Sequence, residues 1–86
     1  MTKYTRVPAI SGKQLIALLQ QDGWVVKRRA THGLSMAKSF SDRTRVTVIP
    51  DTRASLDGGT LAAILGPKQT NIGKKGLLEL INRFGI

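Results

Sequence analysis

Three short β-prone segments follow one another between residues 24 and 49, and this run limits the fold more than any other feature of the sequence. The segments cover residues 24–30, 34–40 and 44–49, and Pro50 ends the last one. Turn residues such as Gly33 and Ser41-Asp42 separate them. Because connections this short join antiparallel neighbours, the sequence predicts a three-stranded antiparallel meander.

Helical patterns lie on both sides of the predicted sheet. Ser11 and Gln14 have the spacing of a capping box, an apolar stripe follows, and Gly23 is a stop signal, so we predict a helix from about residue 12 to about residue 22. Beyond the strands, Thr60 predicts the N-cap of a short helix through about residue 65, and residues 74–84 carry a second apolar stripe.

The order α-β-β-β-α-α predicts an α+β fold in a single domain, residues 1–86, with the helices on one face of the sheet. The other face is left to solvent or a ligand. Trp24 follows the helix-stopping glycine, and a core anchor is favoured over a stacking platform for bases.

The charge of the chain indicates the sign of its partner. Fourteen Lys and Arg against five Asp and Glu give a net charge of +9, so nucleic acid is the first partner to expect. An acidic membrane surface or an acidic protein also fits. One histidine, five acids and no cysteine make a metal site improbable, and we expect no cofactor. Without a segment typical of signal peptides or membrane spans, a cytoplasmic location is expected.

The stretch RRATHGL contains the one histidine of the chain, His32, directly after a basic run. RNA carries its own nucleophile, the 2′-hydroxyl, so a positioned base and cations on the phosphate can cleave it. A neutral imidazole suits the role of base. The candidate phosphate contacts are Lys27, Arg28, Arg29, Thr31 and Ser35. Regular strand alternation predicts that Lys27 and Arg29 share the open face, with Arg28 nearer an edge. The alternative is that His32 is a solvated turn residue and the basic run a solvated strand face.

Four motifs in order resemble those of HicA-type toxins, small RNA-cleaving proteins of toxin–antitoxin pairs. They are GKQLI at residues 12–16 with DGW at 22–24, RATH at 29–32, VTVIP at 46–50, and GTL at 59–61 with Ile64-Leu65. The resemblance spans residues 11–65. Gly33 stands where the family commonly has a second histidine, and residues 51–53 stand where it often has another. Residues 66–86 exceed the usual ending and add a helix.

The resemblance implies a fold like the double-stranded-RNA-binding domain and cleavage of mRNA by an essential histidine, which only His32 matches. It also implies an acidic antitoxin partner of HicB type that covers the active site. Two other functions remain open from the residues themselves. One is a non-catalytic double-stranded-RNA-binding module that reads shape and 2′-hydroxyls. The other is a basic domain whose charge serves to dock an acidic protein.

Overall fold

The computed structural model describes residues 4–86 and has the α+β architecture that the sequence predicts. In chain order the elements are α1 (Gly12–Gln21), β1 (Val25–Ala30), β2 (Gly33–Ser39), β3 (Thr44–Ile49), α2 (Gly58–Leu65) and α3 (Gly73–Phe84). The strands form one antiparallel sheet in the order β1-β2-β3, so the predicted meander is confirmed.

Both ends of α1 are fixed by the residues that predicted them. Ser11 Oγ accepts from the Gln14 amide at 3.1 Å, and the Ser11 amide donates to Gln14 Oε1 at 2.9 Å, which completes the capping box. Gly23 ends the helix with φ +97°. Lys38 Nζ, from β2, donates to the Asp22 carbonyl at 2.6 Å and so places a cation at the negative end of the helix.

A β-bulge at Lys27 interrupts the pairing of β1 with β2. Val26 lies opposite Met36 and Arg28 lies opposite Ser35, so Lys27 is an extra residue without a partner of its own. A bulge of this kind changes which face the following side chains occupy. The regular alternation that the sequence predicts for β1 therefore fails after Val26.

One face of the sheet carries the core. Leu34, Met36 and Ile49 face the helices, and the fully buried Met36 and Ile49 pack with Trp24 in the same hydrophobic cluster. The opposite side, called here the open face, carries Val25, Arg28, Ser35, Val46 and Val48. Val25 and Val46 are 54% and 51% exposed, so this face is uncovered by the residues that the structure describes.

Two details of the predicted elements are wrong. The N-cap of α2 is Asp57 instead of Thr60, because the Asp57 carboxylate accepts from the Thr60 amide at 2.7 Å and thus satisfies a free N–H of the first turn. Phe40, the last residue of the predicted second strand, lies outside β2, is 40% exposed and packs edge-on against Trp24. Within residues 4–86, no helix combines the length and apolar character needed to cross a membrane.

Candidate nucleic-acid interface

His32 lies in the two-residue turn between β1 and β2 and is exposed. The turn depends on Gly33, which has φ +149° and packs against the backbone of Ile49 and Pro50. A Cβ at this position would overlap the Ile49 carbonyl oxygen, so glycine is required for the close approach of the turn to the end of β3. A second histidine at position 33 is therefore incompatible with this backbone.

His32 forms one wall of a groove of about 510 Å³, called here the His32 groove. The end of β3 contributes Val48 and Pro50, and α2 contributes Thr60 and Ala63. Gln69, from the turn after α2, also lines the groove. No Lys, Arg, Asp or Glu lines the groove among residues 4–86, although the chain carries a net charge of +9.

The side chain of Gln69 is held in one orientation. Thr47 Oγ1 donates to Gln69 Oε1 at 2.5 Å, and Thr47 is 2% exposed in the middle of β3. The side-chain oxygen Oε1 of Gln69 thus accepts from a buried donor, and the side-chain nitrogen Nε2 keeps two hydrogens to donate. The sheet therefore sets the polarity of the groove wall.

Lys27 and Arg28 lie on the open face, which corrects the prediction that Lys27 and Arg29 share it. Arg28 is opposite Ser35, and the bulged Lys27 lines a depression on this face together with Val25 and Ala37. Arg29 is opposite Leu34, which packs against the core, so Arg29 emerges on the other side. The bulge is the physical reason, because one extra residue shifts the alternation.

Arg29 is paired with a carboxylate. Its Nη2 lies 3.0 Å from Asp51 Oδ2, and Lys13 Nζ lies 2.8 Å from Asp51 Oδ1. Hydrogen bonds from Lys13 and then from Arg29 hold the pKa of the Asp51 carboxyl below its ordinary value of 3.8. Asp51 directly follows Pro50, so it fixes the end of β3 to β1 and to the first turn of α1.

The open face and the His32 groove meet at Val48. Arg28, Ser35 and Val48 form one cross-strand row, and Val48 also lines the groove. Thr31 lines the groove beside His32, whereas Ser35 lies in the row between the cation and the groove. The open face and the His32 groove together contain Lys27, Arg28, Thr31, His32 and Ser35. Arg29 is the predicted site residue that lies on neither surface, because it pairs with Asp51.

Three residues around this surface were missed by sequence reasoning: Asp51, Thr60 and Gln69. Asp51 gave a weak signal, because polar residues just after a strand often lie at sites. The sequence pattern at Thr60 predicts a helix cap, and Gln69 lies in a turn after Gly66-Pro67 with no pattern of its own. The roles of Asp51 and Gln69 depend on contacts across 22 or 38 positions of the chain, which local patterns do not encode.

Trp24 belongs to the core, as favoured from the sequence. It is 2% exposed, so its ring does not offer a stacking surface for bases. In the same part of the chain, no three His, Cys, Asp or Glu side chains come close enough together to hold a metal ion. Comparisons with protein-family models, with curated proteins and with solved structures gave no match to this chain.

Proposed function

We propose that this protein is a HicA-like toxin of a toxin–antitoxin pair, an endoribonuclease that cleaves mRNA in the cytoplasm with His32 as general base. The observation that supports the proposal is the row Arg28-Ser35-Val48, which joins an exposed cation to the groove of His32. A phosphate bound along this row would lie beside the imidazole. The order of the first five elements is also that of the double-stranded-RNA-binding fold, which we propose as the parent architecture.

The proposed reaction uses the 2′-hydroxyl of the substrate. An imidazole nitrogen of His32 accepts the proton of this hydroxyl, and the oxygen attacks the adjacent phosphorus. The bond from phosphorus to the 5′-oxygen of the next nucleotide breaks, and that oxygen takes up a proton from the imidazolium or from water. The products are a 2′,3′-cyclic phosphate and a 5′-hydroxyl. Lys27 and Arg28 balance the charge on the phosphate, and Ser35 donates to one of its oxygens.

One experiment tests the catalytic proposal. Single-stranded mRNA is incubated with the purified protein and with His32→Gln, with a chelator present, and the product ends are identified. We expect the wild type to give cyclic phosphate ends and the variant to give no cleavage. A substrate with 2′-deoxyribose at the cleaved position should resist both. Equal cleavage by the two proteins would exclude His32 as the general base. Cleavage of the deoxy substrate would exclude the 2′-hydroxyl as the nucleophile.

A second candidate is a non-catalytic double-stranded-RNA-binding module. The exposed Lys74 and Lys75 favour it, because they open α3, a helix with no side-chain cap and no acidic residue in its first turn. Such cations fit the sequence-independent contacts by which proteins hold RNA duplexes. Tight binding of duplex RNA, unchanged in His32→Gln and without cleavage of any RNA, would select this function over the first.

We also propose an acidic antitoxin of HicB type as the protein partner. The open face combines exposed apolar side chains, Val25 and Val46, with the cations Lys27 and Arg28. A surface of this composition suits a partner that carries carboxylates beside apolar residues. Expression of the toxin alone should arrest growth, and co-expression with a small protein encoded in the adjacent gene should restore it. Growth arrest by His32→Gln equal to that by the wild type would separate toxicity from catalysis.

A further inference from the structure

The His32 groove differs in charge from the rest of the surface. The chain has 14 cationic side chains, yet none of them lines this groove among the described residues. A phosphate bound there would meet no cationic side chain in the lining, and Arg45, the cation beside Gln69, is held by the backbone oxygens of Pro67 and Gln69, so the groove is poorly suited to the backbone of RNA. It is suited to an uncharged group that stays attached to the backbone beside it.

The lining of the groove matches a flat, polar-edged ring. Val48, Pro50 and Ala63 supply apolar surface, and Val48 is 38% exposed and therefore accessible. The polar side chains of the lining belong to Thr31, His32, Thr60 and Gln69. An apolar floor with a few oriented polar groups is the usual composition of a site that recognises a small ring by its edge.

Two of the polar residues in the lining, Thr60 and Gln69, each have one hydrogen-bonding role left. Gln69 Oε1 accepts from the buried Thr47, so Gln69 presents its amide hydrogens. Thr60 Oγ1 donates to Asp57 Oδ2 at 3.0 Å, so the Thr60 hydroxyl presents its lone pairs. A ring that places an acceptor toward Gln69 would be distinguished from one that places an amine there.

We propose that the His32 groove is a nucleobase subsite, in which an unstacked base of single-stranded RNA lies on Val48 and Ala63 and accepts a hydrogen bond from Gln69 Nε2. The inference rests on the proposed function, since the base belongs to a nucleotide next to the cleaved bond. The neighbouring phosphate then lies over Ser35 and Arg28. Ser35 is one strand away from Val48 and Arg28 is two strands away, at about 5 Å per strand. Thr47 is the positioning residue, because it orients the Gln69 amide.

The test inverts the hydrogen-bonding character of the wall. In Gln69→Glu, the Thr47 hydroxyl still donates to one oxygen, but the other oxygen accepts where the amide donated. The matched control is Gln21→Glu, which makes the same charge change at an exposed position of α1. Thr47→Val leaves the Gln69 amide in place and removes the bond that orients it. Circular dichroism and thermal melting establish that all three variants are folded.

The first readout is the base composition next to cleaved bonds in a pool of random-sequence RNA. We expect the wild type to prefer one or two bases at one flanking position by about fivefold or more, the range of a single edge contact. Gln69→Glu should shift this preference toward bases that present an amine, Thr47→Val should weaken it, and Gln21→Glu should leave it unchanged. The frequencies of the four bases are compared with one another for each protein separately. A general loss of RNA affinity in a variant therefore does not change the measured preference.

The second readout is chemical-shift mapping with the four nucleoside monophosphates, which does not require cleavage. We expect shifts at Thr31, Ala63 and Gln69 that differ between bases in the wild type and not in Thr47→Val. Cleavage with no base preference, or a preference unchanged in Gln69→Glu, overturns the subsite and leaves the ribonuclease proposal standing. Base-dependent shifts in the groove without cleavage of any RNA support the subsite and overturn the ribonuclease proposal.

Discussion

The guanidinium of Arg29 lies 3.0 Å from the carboxylate of Asp51, which also binds Lys13. The cation nearest to His32 in sequence is thus already paired, although its side chain remains 71% exposed. The carboxylate occupies the position of an anion between two cations. RNA phosphate would have to compete with Asp51 for Arg29. Lys27 and Arg28 lie on the open face, and the described contacts pair neither of them with a carboxylate.

Removing the Asp51 charge should strengthen RNA binding. We expect Asp51→Asn to raise the affinity for single-stranded RNA by about two- to fivefold at low salt, as for the loss of an exposed ion-pair partner. The measurement is fluorescence anisotropy over a series of salt concentrations. Asp42→Asn is the control, because it removes the same charge from an exposed turn near Arg43. An equal gain in both variants would mean that net charge alone, and not the release of Arg29, is responsible.

Replacing the cations of β1 should weaken RNA binding unequally. Arg28→Gln should lower affinity and reduce the slope of log K against log salt by about 0.7, the value for one phosphate contact on a single strand. Arg29→Gln should have a smaller effect, because Asp51 already neutralises that side chain. The two variants have the same amino-acid composition and net charge, so a difference in their RNA affinity reports the position of the arginine that was replaced. A larger loss from Arg29→Gln would contradict the assignment of Arg28 to the open face.

Stability should fall in acid partly through Asp51 and Asp57. The amide and hydroxyl of Thr60 hold the pKa of Asp57 below its ordinary value of 3.8, as Lys13 and Arg29 do for Asp51. A carboxylate with a lowered pKa in the folded state stabilises fully above its unfolded value and loses this effect as the pH falls through the lowered one. Urea unfolding from about pH 6 to about pH 2 measures the loss.

The carboxylates can be separated by substitution. Asp51→Asn and Asp57→Asn should each lower stability at neutral pH and flatten the acid limb of the pH profile, because the variant has no proton to gain. Asp42→Asn again serves as the control. A profile for either variant that runs parallel to the wild type down to about pH 2 would show that the corresponding contact does not stabilise the fold.

The first residues of α1 and α2 are both glycine, but they should respond differently to alanine. A Cβ at Gly12 would overlap the carbonyl oxygen of Pro50, so Gly12→Ala should cost about 1–3 kcal/mol or more in the free energy of unfolding. At Gly58 no described atom lies within 4 Å of the added Cβ, so Gly58→Ala should be neutral or should stabilise by up to about 1 kcal/mol.

Urea unfolding of the two glycine variants provides the comparison. Each variant adds one methyl group at the same position of a helix, so helix propensity cancels between them. Similar stability in both would show that α1 can move away from Pro50, and that the contact between α1 and the end of β3 is not tight.

Local patterns predicted what local contacts determine. Ser11 and Gln14 are three residues apart, and their side chains satisfy each other's backbone, so the start of α1 is readable from the sequence. The bulge at Lys27 cannot be predicted from the sequence, because the run VVKRRA fits a regular strand equally well. Its position depends on pairing with β2, and the faces of Arg28 and Arg29 follow from that pairing.

The candidate site was predicted in part for the same reason. His32 could be placed in a turn because Gly33 follows it and β-prone segments flank it. The rest of the groove lining could not be predicted, because Thr60 and Gln69 join it only when α2 and the turn after it fold against β3. The bond from Thr47 to Gln69 joins a buried strand residue to a turn, and neither residue has a polar pattern that identifies the other.

The bulge at Lys27 lets β1 carry an additional cation without changing the faces of the residues after it. If Lys27 were deleted, the ladder from Val26 to Ala30 would become regular, but Arg28 would still lie opposite Ser35 and Arg29 opposite Leu34. The open face would lose one positive charge, while Arg29 would keep its position beside Asp51. A single-codon deletion here would therefore act as a charge substitution does, and the alternation of the two faces would be preserved.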